Sequence, residues 1–179
     1  MLSVDDYFVD RENTPLDEKG NYDFEALGAI DVEFLNSQLV ELLAGKEIEI
    51  PRFDFHTGKR FFNGHRLKLG EKDVLIIEGI HCMNPDLLPL IDPETTFRIF
   101  ISALTQVSVD EQTHISTSDN RLLRRMIRDS KFRGYSARET IRRWPSVRNG
   151  EEKNIFPFQE NADVMFNSAT LYELAVLKK

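Results

Sequence analysis

The run Val74-Leu75-Ile76-Ile77, set between Asp73 and Glu78, constrains the fold of this chain more than any other stretch. Four apolar residues without polar alternation are expected of a central parallel strand covered on both faces. A parallel neighbour requires a crossover connection, and crossovers are usually helical. The rest of the chain supplies such parts. Met1 to Val4 reads as a short buried strand, Phe97 to Ile101 as a further strand and Asp163 to Phe166 as a late one. Asn84 to Leu90 suits a short helix, Asp119 to Asp129 and Ser136 to Trp144 longer ones, and Leu171 to Leu177 a final strand or short helix. Strands alternating with helices indicate an α/β sheet, with its ligand site at the carboxyl ends of the strands.

Residues 9–22, rich in Asp, Glu, Asn, Pro and Gly, read as a polar loop. From Asp31 to Ala44, the spacing of Val32, Leu35, Leu39 and Leu42 predicts a helix with one apolar face, capped by Asp31 and ended by Gly45. Ile48 and Ile50 then alternate with acids, and Phe53 and Phe55 with Arg52 and Asp54. His56-Thr57-Gly58-Lys59 and Asn63-Gly64 are turn sequences. The expectation is a small hairpin lobe over about residues 46–70, inserted in the main fold.

Composition narrows the function. A chain of 179 residues with net charge −7 suits one folded domain and argues against a general nucleic-acid binder. The lone cysteine, Cys82, excludes an intramolecular disulfide and suits a reducing cytoplasm. No apolar run approaches membrane-spanning length, and the first residues lack a signal peptide's pattern. His56, His65, His81 and His114 have no metal-ligand spacing, and no Ser/His/Asp or Cys/His arrangement is indicated.

Three features carry possible chemistry. Asp5 stands just past a buried strand, where a carboxylate can orient a hydroxyl and accept its proton; equally, Asp5 and Asp6 can cap a turn. Glu78 ends an apolar strand, as does the acid that holds Mg²⁺ in a Walker B strand, although Gly79 can also mark a plain turn. Arg121, Arg124, Arg125 and Arg128 recur at spacings of three and four and form a basic stripe on a helix, with Leu122 and Met126 facing elsewhere. Guanidinium groups match phosphate oxygens with paired hydrogen bonds; the alternative is a solvated face, expected for Arg138, Arg142 and Arg143. Arg133-Gly134 fits a mobile lid. Phe53 and Phe55 lie on one face of a ribbon with little core to fill, where a flat ligand can stack.

Together these segments resemble the uridine kinase family, within the larger group that includes phosphoribulokinase. The resemblance rests on Val4 to Phe8, Tyr22 to Glu25 with Ala29 to Asp31, Ile50 to Phe55, Val74 to Gly79, Asp119 to Gly134 and Ala162 to Val164. It implies a P-loop-kinase-like parallel sheet with flanking helices, an inserted hairpin lobe, and an arginine-rich helix and lid at about 119–148. It also implies transfer of the γ-phosphate of ATP or GTP, with Mg²⁺, to the 5′-hydroxyl of uridine or cytidine. In this reading Asp5 is the general base. Tyr7, Phe24, Glu25, Phe53 and Phe55 bind the nucleoside, Arg124, Arg128 and Arg133 neutralise phosphates, and Glu78 holds the metal. The chain departs from the family's pattern at Gly58, where the family has a base-reading His, and at Glu25, where it has Asp. Ala26-Leu27 replaces His-Pro, and the link from Ala103 to Ser118 is longer and more polar. No nucleic-acid or membrane partner is expected, and homo-oligomerisation stays open.

The chain contains no Gly-x-x-x-x-Gly-Lys-Ser/Thr. The expectation is a kinase domain cut after its first strand–P-loop–helix unit, inactive by itself. The competing readings are a non-catalytic nucleotide- or phosphometabolite-binding module that has lost its P-loop, and an interaction domain that keeps only the fold.

Overall fold

The computed structural model describes residues 1–104, 115–170 and 172–177. His114, most of the polar link and Leu171 lie outside the described residues. The chain forms mixed α/β structure in two compact units. The first comprises Met1–Arg98 and Gly150–Asn161; the second comprises the described residues of Ile99–Asn149 and Ala162–Lys179.

In the first unit, β1 (Leu2–Ser3) is shorter than expected and gives way to a single 3-10 turn, Val4–Tyr7, that carries Asp5 and Asp6. After the polar loop comes α1 (Val32–Leu43). The Asp31 carboxylate accepts from the Phe34 N–H, and the Gly45 N–H closes on the Leu42 carbonyl. Leu35, Leu39 and Leu42 are buried, as their spacing predicts. Four short strands follow: β2 (Ile48–Glu49), β3 (Arg52–Asp54), β4 (Lys59–Phe61) and β5 (Arg66–Leu67). β3 pairs with β4 and, outside it in sequence, β2 with β5, both antiparallel. Gly58 turns the inner pair at φ +71°; a Cβ there would meet Arg11 Nε at 2.7 Å, so only glycine fits.

Phe53 and Phe55 are not on a ribbon short of core. Their rings lie 5.4 and 6.2 Å from the buried Phe8, and the Phe53 N–H donates to Asp6. The hairpin packs onto the turn after β1, so its aromatic face has a core to fill.

The apolar run at residues 74–77 reaches the ladder only at its end, as β6 (Ile77–Glu78). It pairs parallel with β1 in the register Leu2↔Ile77 and Ser3↔Glu78. Cover on both faces is not observed. Leu75 and Ile77 pack on the core, whereas Val74 and Ile76 are 87 % and 60 % exposed. The pleat sends alternate side chains to opposite faces, and in this unit only one face meets a packed layer. The short helix expected at Asn84–Leu90 is one 3-10 turn, Pro85–Leu87, capped by the Asn84 side chain. Pro89 cannot supply the N–H that a longer helix needs.

In the second unit β7 (Ile99–Ser102) pairs parallel with β8 (Val164–Asn167). α2 (Thr117–Arg128) is capped by the Ser116 hydroxyl, which accepts from the Asp119 N–H. It widens into a π-helical turn, Asp129–Arg133, closed by Gly134 in the left-handed conformation. α3 (Ala137–Asn154) starts at a reciprocal cap between Ser136 and Glu139 and runs past the expected end at Trp144. Pro145, inside it, has no N–H to give to the Ile141 carbonyl, yet the helix continues. From Gly150 onward its residues belong to the first unit. α4 (Glu173–Leu177) is the short helix allowed for near the end. Among the described residues no helix is long and apolar enough to cross a membrane.

Candidate functional site

Two carboxylates converge at the carboxyl ends of the parallel pair in the first unit. Glu78 is the last residue of β6 and stands opposite Ser3; Asp5 lies two residues beyond Ser3, in the turn that ends β1. Gly79 allows this approach, because a Cβ there would come within 2.6 Å of the Val4 Cβ. The glycine after the acid therefore serves close packing of two strand ends. Cys82 reports the charge of the pair: burial first, then Glu78 and Asp5, push its thiol up to about 12. The thiol thus stays protonated, which excludes a thiolate nucleophile near neutral pH.

A pair of carboxylates at strand ends suits Mg²⁺, which binds through one or two carboxylates together with water and substrate phosphates. Among the described residues no three His, Cys, Asp or Glu side chains gather into an all-protein metal cage. The donor set therefore fits a metal that arrives with a phosphate ligand.

Asp6, next in the turn, ties in a second element. It pairs with Arg52 at 3.1 Å and accepts the Phe53 N–H at 3.3 Å, so it ties the hairpin to the turn. Tyr7, expected to bind substrate, lies wholly in the core: it is 0 % exposed and its hydroxyl donates to Gln38 Oε1 at 2.7 Å. The side chain that follows Asp6 turns inward to fill the space beside Phe34. Phe24 and Glu25 are half-buried; Phe24 packs on Tyr22, and the Glu25 N–H donates to Asp23.

His81, past β6, is 2 % exposed and its Nδ1 has no hydrogen-bond partner. Burial holds its pKa below the usual value, opposed by the Asp23 carboxylate. Sequence pattern offered no sign of this, because a lone His carries no spacing signal.

In the second unit the arginine stripe separates into two roles. Arg124, expected on phosphate, has every guanidinium nitrogen engaged inside the protein. Nε donates to Glu173 Oε1, Nη2 to Glu173 Oε2 at 2.6 Å and to the Ser168 carbonyl at 3.0 Å, and Nη1 to the Ser168 hydroxyl at 3.3 Å. These bonds hold the Glu173 carboxyl below its ordinary range. Arg124 thus clasps α4 to α2. Arg128 and Arg133 instead gather at Asp129, a buried acid that the sequence reading passed over. Its signal was present: Arg125, Asp129 and Arg133 recur every four residues. Arg138, Arg142 and Arg143 are exposed, and Arg143 lies over the Tyr135 ring, 4.7 Å from its centroid.

Comparison with known proteins places these features. The sequence profile described as the Phosphoribulokinase / Uridine kinase family matches residues 5–175. Proteins named uridine kinase from Staphylococcus aureus strains JH9, Newman and JH1 are each 26 % identical over 178 residues. Those alignments cover 98 % of this chain and 77 % of each relative. With the match running through the converging acids, the hairpin and the arginine helix alike, the chain belongs to the phosphoribulokinase/uridine kinase family.

Proposed function

We propose that this chain is the acceptor-binding and lid part of a kinase that moves the γ-phosphate of ATP or GTP to the 5′-hydroxyl of a uridine- or cytidine-like nucleoside. The observation that carries this reading is the convergence of Asp5 and Glu78 at the carboxyl ends of β1 and β6. The name of the Staphylococcus aureus relatives supports the substrate class.

Asp5 accepts the proton of the attacking hydroxyl, whose oxygen forms the new bond to the γ-phosphorus while the bond to the bridging β–γ oxygen breaks. Glu78 would hold Mg²⁺, which neutralises charge on the donor phosphates. Arg128 and Arg133 of the lid, at about 119–148, contact the transferring phosphate. Phe24, Glu25, Phe53 and Phe55 line the nucleoside pocket, under a hairpin insertion at about 46–70. The lone Cys82 supports a cytoplasmic setting.

No Walker A sequence occurs in the 179 residues, and the kinase reading requires a loop that cradles the β- and γ-phosphates. The free apolar face at Val74 and Ile76 supports a covering strand–P-loop–helix unit there. The isolated chain is then inactive; ATP-dependent phosphorylation of a nucleoside by the purified chain would refute this. The missing loop and the engagement of Arg124 favour a second reading, a non-catalytic nucleotide- or phosphometabolite-binding module.

Asp5→Asn decides between them in a protein completed with the P-loop unit. Under the kinase reading, turnover falls by roughly 10²–10⁴-fold with little change in substrate affinity. Asp6→Asn loses far less, because Asp6 is spent on Arg52 and Phe53. Absence of any turnover in the completed protein selects the binding module, and equal losses from both variants remove Asp5 as the base.

A further inference from the structure

We propose that Arg11 determines which acceptor ring is taken, and that it selects a ring carrying a carbonyl beside an N–H, as in uracil or hypoxanthine, over one carrying an amino group beside a bare ring nitrogen. This rests on the reading of the hairpin as part of a nucleoside pocket. Arg11 opens a 3-10 turn, Arg11–Asn13, in the polar loop. Its backbone N–H donates to the Gly58 carbonyl at 2.9 Å, and its Nη2 donates to the Phe55 carbonyl at 2.7 Å. The side chain fills the space that a Cβ at residue 58 would need: Arg11 Cβ and Cζ both lie 2.8 Å from that point. The glycine therefore seats an arginine against the hairpin turn.

A guanidinium offers N–H donors and no acceptor. The Phe55 carbonyl takes one donor of Arg11. Among the described residues the guanidinium meets no further hydrogen-bond acceptor and no carboxylate partner. Arg11 lines a cleft of about 210 Å³ together with Tyr22 and Thr57. That is smaller than the roughly 300–1,000 Å³ of sites for drug-sized ligands, and it suits one ring with its substituents. Tyr22 supplies a flat, exposed ring, itself packed on Phe24 at 5.9 Å. Arg11 thus ties the cleft to Phe55, and Tyr22 ties it to Phe24; both phenylalanines are proposed above to line the nucleoside pocket.

Thr57 adds the complementary group. Its hydroxyl donates to Asp54 Oδ2 at 2.9 Å. The His56 N–H and then this hydroxyl hold the Asp54 carboxyl below its ordinary range, so it is an ionised acceptor. With its proton given to Asp54, Thr57 Oγ1 has only lone pairs to offer. The cleft therefore combines a side chain that only donates with an oxygen that only accepts. A ring edge with a carbonyl beside an N–H answers both; an amino group beside a bare nitrogen sets donor against donor and acceptor against acceptor. Two acids, Asp10 and Glu12, and two bases, Arg11 and Lys59, line the cleft, so their formal charges cancel. That balance favours a neutral ring over an anion.

The test is binding of four nucleosides to the 179-residue chain, measured by calorimetry. Uridine and inosine present the carbonyl and the N–H; cytidine and adenosine present the amino group and the bare nitrogen. Leaving these polar groups unpaired should make uridine bind about 10–100-fold more tightly than cytidine, and inosine than adenosine by a similar factor. Arg11→Met keeps much of the packing and removes every donor, and Arg11→Gln can both donate and accept. Both variants should bring the two ratios to about one. Thr57→Val should leave the carbonyl preference in place but bring 3-methyluridine, which has no ring N–H, level with uridine. An arginine that only braces the hairpin predicts otherwise: its removal weakens all four nucleosides equally. Equal losses in both Arg11 variants, complete loss included, overturn the inference. So does a carbonyl preference that survives them, or a parent chain that binds uridine and cytidine alike; the nucleoside reading then still stands. If the parent chain binds none of the four, the nucleoside reading itself fails and takes this inference with it.

Discussion

The two units are held together by different physics. The first buries Leu2, Val4, Tyr7, Phe8, Ile30, Leu35 and Leu39 in one continuous core, with Leu42, Ile48 and Ile50 beside it. In the second, the buried side chains among the described residues include Asn120, Asp129 and Thr140, with only Ala103 and Val147 as buried hydrocarbon, and β8 is exposed along its length. Hydrophobic burial is non-directional and roughly proportional to area. It suits a scaffold that must hold two carboxylates at strand ends. Ion pairs and hydrogen bonds are directional and respond to added charge. They suit an element proposed to meet a charged ligand, and ligand-binding elements come from the low-stability end of a protein.

The largest test of this contrast is Leu39→Ala. Leu39 is 1 % exposed in the first core, and its truncation should cost about 2–5 kcal/mol, read from urea unfolding. A cost below about 1 kcal/mol, less than a cavity normally brings, would mean that the first unit is not held by its core.

A smaller loss is expected in the second unit from Arg124→Met, about 1–3 kcal/mol for hydrogen bonds to a charged group. Amide exchange in α4 should rise while that in α1 stays unchanged. The same clasp has a pH signature. The Glu173 carboxyl is lowered in the folded state, first by its hydrogen bond to Arg124. Its contribution is present above the ordinary carboxylate pKa and is lost as pH falls through the folded value. Acid should therefore loosen α4 in the parent chain and have little further effect in Arg124→Met.

The smallest effect concerns a polar group within the apolar unit. Burial lowers the His81 pKa below 6.5. The unfolded chain then takes up the proton first, so stability falls as pH drops from about 6.5 toward the folded value. His81→Gln should flatten that part of the stability–pH curve whatever its offset. An unchanged slope would assign the acid sensitivity to carboxylates instead.

Local rules explain which elements were legible. The α1 cap, its apolar face and its end follow from Asp31, the 3.6-residue spacing of leucines and Gly45. The turns at Gly58 and Gly64, both with positive φ, follow from residue type. The positions of Asp5 and Glu78 at strand ends were legible because an acid after an apolar run is a local pattern, and parallel pairing of β1 and β6 sets those ends side by side. Tyr7 was expected at the substrate only through the resemblance, and a family pattern does not foresee that the 3-10 turn sends the ring inward onto Gln38. The run at Val74–Ile77 was read as doubly covered because apolar character reports a preference for burial, whereas cover depends on what else packs there.

By itself the sequence determined the helix with its cap, the turns, the acids at strand ends and the presence of a basic helix. Only the tertiary structure decided which acid each arginine meets. Arg124 meets Glu173 across 49 residues of chain, whereas Arg128 and Arg133 meet Asp129 within their own helix and turn. Backbone propensity, capping and side-chain periodicity act over a few residues, so they leave a mark in the order of amino acids. A carboxylate that folds back from a distant segment leaves none, and its field falls on whichever guanidinium the packing brings near.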